Sequence, residues 1–376
     1  MIIKNGNVLF DDWKFKVCDL GIKDNLITEN GDGEVIDAND CYVLPGFIDT
    51  HIHGCVGASA YMAREGDLNK ISEYLCRFGV TSFAPTTATT ALEDIVKQIS
   101  IIHREKDSVT GTKVAGIHLE GPFISREKRG ALLEKYIQKG NTDVFDSLID
   151  CEGGELVKLI TIAPEIEGAE KLIRHAVSRG IKVSIGHSMA TVDNANRAVE
   201  WGASQSTHTC NAMRPIDHRE VGILGAALNN DGIKCELICD FVHVSPAMCQ
   251  IIIKLKGTDR VNMISDCEWA AGLEDGEYHD EFGRTQYIRG GMLTLENGTI
   301  AGSTKLQLLG VQNLVNHSIL PLEDAVKIAT INPAKTLGIE NETGSIAFGK
   351  KADLIILNKD LELLYTIIEG KVVYKA

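Results

Sequence analysis

The sequence predicts an α/β protein, a (β/α)8 TIM barrel inserted in a small β-sandwich formed by both chain termini. Three observations carry this. Eight strand-like apolar segments alternate with helix-period segments through the middle of the chain, as a parallel α/β architecture requires. Metal-competent side chains sit at or just past the C-terminal ends of those segments, where such barrels place their chemistry. Both ends of the 376-residue chain instead carry short alternating β segments broken by Gly, Asn and Asp.

At the N-terminal end these segments include Ile2-Ile3, Asn7 to Phe10, Val17 to Ile22 and Glu34 to Asp37. Neither end makes a comfortable β-domain alone, so residues 1–43 and 345–376 are expected to pair into one sandwich, with 44–344 as the barrel. The first barrel strand is read from Tyr42-Val43-Leu44-Pro45-Gly46-Phe47-Ile48-Asp49-Thr50-His51-Ile52-His53, an apolar run that turns polar at its end. The period of two along a strand points His51 and His53 to one side.

The next strands are expected at Val80 to Thr86, Lys113 to Glu120, Val157 to Pro164, Lys182 to His187, Ser206 to His208, Lys234 to Asp240 and Val261 to Asp266. Helical periodicity lies between them, as at Ala169 to Ser178 and Thr191 to Trp201, with Gly180 and Gly202 as stops. Eight such units fit a closed barrel better than an open sheet.

In a closed barrel the strand ends share one mouth, so His51, His53, Glu120, His187, His208 and Asp266 converge there. Three or more N/O ligands with an open position suit a catalytic divalent metal, zinc above all, which lowers the pKa of its water to about 7. Two histidines on the first strand and two on later ones, with Glu120 able to bridge, can hold one ion or two. Asp266 is placed to take the water proton and pass it to a leaving group. Arg219 and His243 follow the sixth and seventh strands, where barrels frequently bind phosphate. His118 is expected inward, and His103, His175 and His317 on the surface.

The composition, 44% hydrophobic and 24% charged, is that of a soluble globular protein. A formal charge of −14 disfavours nucleic acid or an anionic membrane as partner, so an anionic substrate needs a local cationic pocket. The start lacks a signal-peptide pattern and no apolar run approaches membrane-spanning length, which points to the cytoplasm. Ten scattered cysteines without C-x-x-C pairs fit reduced thiols.

The chain also resembles the N-acetylglucosamine-6-phosphate deacetylase family of the amidohydrolase superfamily, nearly end to end. The matching stretches are Leu44 to Asp49, His118-Leu119-Glu120-Gly121-Pro122-Phe123, Gly186-His187-Ser188, Thr207 to Met213, Asp266 with Ala271-Gly272-Leu273, Ala301 to Thr304, Asn332-Pro333-Ala334 and Gly344-Ser345-Ile346. The resemblance implies a metal-dependent hydrolase that removes an N-acyl group from an amino-sugar phosphate, working as a homodimer. It assigns Glu120, His187 and His208 as main metal ligands, with zinc, Fe2+ or another divalent ion. His51 and His53 match second-metal ligands and Asp266 the acid/base. Asn211, Ala212, Arg219 and His243 match the positions that hold the sugar phosphate, the arginine reaching in from a neighbouring subunit.

Departures cluster at the acyl end. Gly130-Ala131-Leu132 stands where the family has Gly-Ala-His, and Lys305-Leu306-Gln307 where it has Leu-Thr-Met, so Ala131, Lys305, Leu306 and Gln307 join the candidate substrate contacts. Phe241 replaces a glycine. Other readings are a different N-acyl sugar, a cyclic amide, or a catalytically impaired binding protein on the same fold.

Overall fold

The computed structural model describes residues 1–62 and 64–376. Strand Tyr42–Pro45 and strand Phe47–Ile52 are separated by Gly46 alone, and they belong to different sheets. A Cβ at residue 46 would lie 2.1 Å from the Thr81 methyl, so the close approach requires glycine. The long run read as one barrel strand is therefore two. The sheet of the termini extends through Pro45, two residues beyond the expected boundary.

That sheet has eight strands, five from the N-terminal end and three, Leu354–Leu357, Leu363–Ile368 and Lys371–Lys375, from the C-terminal end. The ends meet where Tyr42–Pro45 pairs antiparallel with Leu354–Leu357. Strand Ile2–Leu9 forks the sheet, because residues 2–4 pair with Val35–Asp37 and residues 7–8 with Tyr42 and Val43. The apolar alternation fills the fork with Ile3, Val8, Leu20, Val43, Leu354 and Ile356, all nearly fully buried.

The barrel strands are Phe47–Ile52, Val80–Thr87, Ile117–Glu120, Val157–Ile162, Lys182–Ile185, Gln205–Ser206, Lys234–Ile238 and Val261–Ile264. All eight expected strands are present and each pairs parallel with the next. The last and first strands share no regular ladder and meet through main chain at their C-terminal ends, where Asp266 N donates to His51 O at 3.0 Å and His53 N to Cys267 O at 2.8 Å. Gln307 Nε2 donates to Ile48 O at 2.8 Å and to Met263 O at 2.9 Å, bridging the seam from the start of helix Gln307–Asn316. Ser265 N donates to Asp49 Oδ1 at 3.3 Å just above it.

Helix Ala169–Ser178 matches its expected bounds, and helix Val192–Glu200 begins at a Thr191–Asn194 capping box. Gly180 and Gly202 both take positive φ behind these helices. A four-stranded antiparallel meander, Gly276–His279, Thr285–Arg289, Met292–Leu295 and Ile300–Ser303, follows the eighth strand and was not expected. No helix among the described residues is long and apolar enough to cross a membrane.

Candidate active site

His51 and Glu120 lie at the ends of their strands and His53 just past one, whereas the fifth, sixth and eighth strands stop two residues before His187, His208 and Asp266. His187, His208 and Asp266 then take left-handed backbone, with φ of 46°, 29° and 49°. Such conformations cost of order 1–3 kcal/mol each and persist where the surroundings fix them. Here they turn the side chains off the strand axes and into the mouth.

Glu120 is the hub. Its Oε1 lies 3.1 Å from His187 Nε2, 3.0 Å from His208 Nε2 and 3.4 Å from His51 Nε2, while Oε2 lies 3.2 Å from His53 Nε2. Asp266 Oδ1 lies 3.4 Å from His51 Nε2 and 3.5 Å from His53 Nε2. Two ligand groups result, Glu120 with His187 and His208, and His51 with His53 and Asp266, all buried. The expected six residues are brought together.

The donor set fits a cation. His187 Nδ1 lies 2.7 Å from Lys128 O, and His53 Nδ1 lies 3.2 Å from Thr86 O. A carbonyl only accepts, so both Nδ1 atoms carry hydrogen, and in the neutral rings both Nε2 lone pairs point at Glu120 oxygens. His208 Nε2 also faces His187 Nε2 at 3.0 Å. Acceptors facing acceptors at these distances need protons or a metal ion between them.

The charges answer to one another. Burial alone would raise the Glu120 pKa, but the adjacent His187 and His51 hold it well below the usual carboxylate range. Burial would lower His51, yet Asp266 and Glu120 carry it well above its ordinary value. Behind the ring, Glu236 Oε2 lies 3.2 Å from His51 Nδ1, and Gln205 Nε2 donates to the other Glu236 oxygen at 2.6 Å. A carboxylate there fixes the tautomer and strengthens the ligand. His118 does point inward, 2.9 Å from Thr161 Oγ1, and burial lowers its pKa well below normal.

A cleft of about 300 Å³ opens over this cluster, with Asn211, Ala212 and His243 on its wall together with Gly130, Ala131 and Leu132. The wall also includes Glu268 and Thr299 to Gly302, which the sequence reading missed. Burial raises Glu268 to about 7. His243 Nδ1 lies 2.7 Å from Asp240 Oδ2, leaving Nε2 buried and unpartnered.

Several expected contacts lie elsewhere. Gln307 spends its amide on the barrel seam. Lys305 and Leu306 line a separate cavity of about 440 Å³ with Tyr74 and Phe78, because the strand Ile300–Ser303 carries the chain out of the mouth before them. Arg219 is exposed and not on the cleft wall of its own chain.

The amidohydrolase family model matches residues 42–373. N-acetylglucosamine-6-phosphate deacetylase of Bacillus subtilis (strain 168) is 35% identical over 378 residues, covering 99% of this chain and 94% of the relative. The chain belongs to the N-acetylglucosamine-6-phosphate deacetylase family of amidohydrolases. N-acetylgalactosamine-6-phosphate deacetylase of Escherichia coli O157:H7 is 32% identical over 333 residues, covering 88% and 87%. Among solved structures, a mutant N-acetyl-D-glucosamine-6-phosphate deacetylase from Mycobacterium smegmatis, in complex with N-acetyl-D-glucosamine-6-phosphate, superimposes with TM-score 0.91 at 30% identity, covering 100% and 99%.

Membership of this deacetylase family makes the chain a hydrolase of a linear amide, on a divalent-metal site. Its departures gain a physical meaning. Phe241 sits at φ 63°, the left-handed conformation that favours glycine, and its ring packs edge-on to His317 at 4.9 Å. Leu132, on the cleft wall, has an apolar side chain with no hydrogen-bond donor.

Proposed function

We propose that the protein removes the N-acetyl group from an amino-sugar 6-phosphate such as N-acetylglucosamine-6-phosphate, with zinc as the divalent ion. The observation that carries this reading is the convergence of Glu120, His187, His208, His51, His53 and Asp266 at the floor of a cleft whose far wall has a phosphate-competent histidine. A divalent ion held by those ligands would acidify a water and polarise the amide carbonyl.

The chain's own residues supply the rest. Asp266, reaching the cleft from the eighth strand, accepts the water proton and returns it to the departing amine nitrogen. His243 meets the phosphate through Nε2. Burial alone would lower its pKa, but Asp240 raises it above the ordinary value, which favours the cationic form that a phosphate selects. Asn211 and Ala212 flank it. Arg219, exposed outside its own cleft, supports a homodimer in which it serves the neighbouring one, and the absence of a spanning helix among the described residues is consistent with work in the cytoplasm.

A second sugar is supported by one finding, the similar identity to the relative named N-acetylgalactosamine-6-phosphate deacetylase. Side-by-side amine-release assays on the N-acetyl 6-phosphates of glucosamine and galactosamine test the proposal. Turnover of either supports deacetylation and ranks the epimers. No release from either by the metal-loaded protein removes the reading.

A further inference from the structure

The cleft wall is assembled from two distant stretches of chain. Gly130, Ala131 and Leu132 lie on the loop after the third barrel strand, and Thr299 to Gly302 on the meander after the eighth. Ala131 packs against the meander's Ile288, Leu293 and Ala301 cluster, and one side chain adds a hydrogen bond across the seam. Arg284 Nη1, at the start of the meander's second strand, donates to the Ala131 carbonyl.

Arg284 is set up for this bond before the loop arrives. Its Nε donates to Asp280 Oδ2 at 2.6 Å, and its own backbone N–H donates to Asp280 Oδ1 at 2.8 Å. Asp280, buried, also accepts from Phe282 N at 3.0 Å and Gln286 Nε2 at 3.0 Å. The guanidinium is thus held in a fixed plane with one edge free for a carbonyl. On its far side the loop is tied to a metal ligand, through Lys128 O to His187 Nδ1 at 2.7 Å and through Ser125 N to His187 O at 2.9 Å. Among the described residues, Arg284 is the side chain that bonds the Gly130–Leu132 stretch.

We propose that Arg284 is a positioning residue for the deacylation reaction: it latches the meander to Ala131 and so fixes Ala131 and Leu132 against the bound N-acyl sugar. The inference rests on the proposed function for its kinetic part alone. Because the His187 ties remain, loss of the latch loosens the wall without emptying the metal site. Misplacing a substrate contact by about an ångström costs on the order of tenfold to a hundredfold.

The test compares metal-loaded wild type with Arg284→Met, Arg284→Lys and Asp280→Asn. Amide hydrogen exchange over residues 128–133 is expected to quicken in Arg284→Met and to a lesser degree in Asp280→Asn and in Arg284→Lys, whose ammonium can reach the carbonyl but lacks the planar fork, with metal content unchanged. On a sugar phosphate that wild type deacylates, Arg284→Met should raise KM about tenfold with kcat within about twofold. Unchanged exchange at 128–133 overturns the latch whether or not the substrate assignment holds. Exchange that quickens equally across 276–303, or kcat falling with metal loss, shows a merely structural arginine and overturns it as well.

Discussion

The Glu120 carboxylate stands 3.0 Å from His208 Nε2, with both side chains buried and each carried by a different barrel strand. Two acceptors at that distance need a proton or a metal ion between them, and the cluster of histidines around the same carboxylate suits the metal. Glu120→Ala should therefore strip the ion of the Glu120, His187 and His208 group and lower activity by at least about a thousandfold, since the lost carboxylate also lies 3.4 Å from His51 and 3.2 Å from His53. Elemental analysis of the purified variant, set beside chelated and zinc-restored wild type, checks it.

The His51, His53 and Asp266 group offers a second ion position. His53→Ala should reduce the metal content from two equivalents to one. Equal content in variant and wild type would assign both histidines to the same ion.

Asp266→Asn keeps an oxygen facing His51 but removes the group that moves the proton. It should lower kcat by about 10²- to 10⁴-fold while the Glu120, His187 and His208 ion stays bound. Parallel metal analysis and steady-state kinetics separate lost proton transfer from lost metal.

Leu132 lies on the cleft wall where a donor to the acyl oxygen would act. An oxyanion donor contributes on the order of 10² to 10³ in rate, so Leu132→His should raise kcat on an N-acetyl sugar phosphate by roughly ten- to a hundredfold. A fall instead would show that this chain's acyl site is built around an apolar wall.

The two halves of the protein are bonded through charge. Lys113, beside the second barrel strand, lies 2.7 Å from the buried Asp353 and 3.3 Å from Glu369 in the sheet of the termini. Burial would raise the Glu369 pKa, but Lys113 and Lys351 hold it below its ordinary value. A carboxyl depressed in the fold contributes stability above its unfolded pKa of about 4.3 and loses that contribution as pH falls through the folded value. Thermal scans should thus show Glu369→Gln less stable than wild type at pH 7, with the gap closing below about pH 4. Lys113→Met, which leaves the buried Asp353 with the Glu369 N–H but no cation, should cost about 3 kcal/mol at neutral pH.

Much of this was written locally in the chain. The eight barrel strands and helix Ala169–Ser178 follow from period and stop signals, and the ligands from their place at strand ends. What escaped depends on tertiary contact. Nothing in the run from Tyr42 to His53 says that Gly46 hands the chain from one sheet to another, since both halves are apolar and extended. Glu236 lies inside a strand and became visible only when His51 turned its Nδ1 toward it. The meander did leave a local signal, the turns Gly290-Gly291 and Asn297-Gly298 between alternating segments, which a closer reading for hairpins would have found. Gln307 was expected on the cleft because of its neighbours in sequence, whereas its amide found two carbonyls deep in the wall.

A ring of staves is usually sealed by main chain, which no single mutation can delete. Here main chain meets main chain between first and last staves only at the rim, where Asp266 N donates to His51 O at 3.0 Å, and further down the stitch is the amide of one side chain, Gln307. One codon at the head of a helix therefore helps to hold together the two staves that carry a metal-binding group and the proton carrier, although that residue lies off the cleft wall.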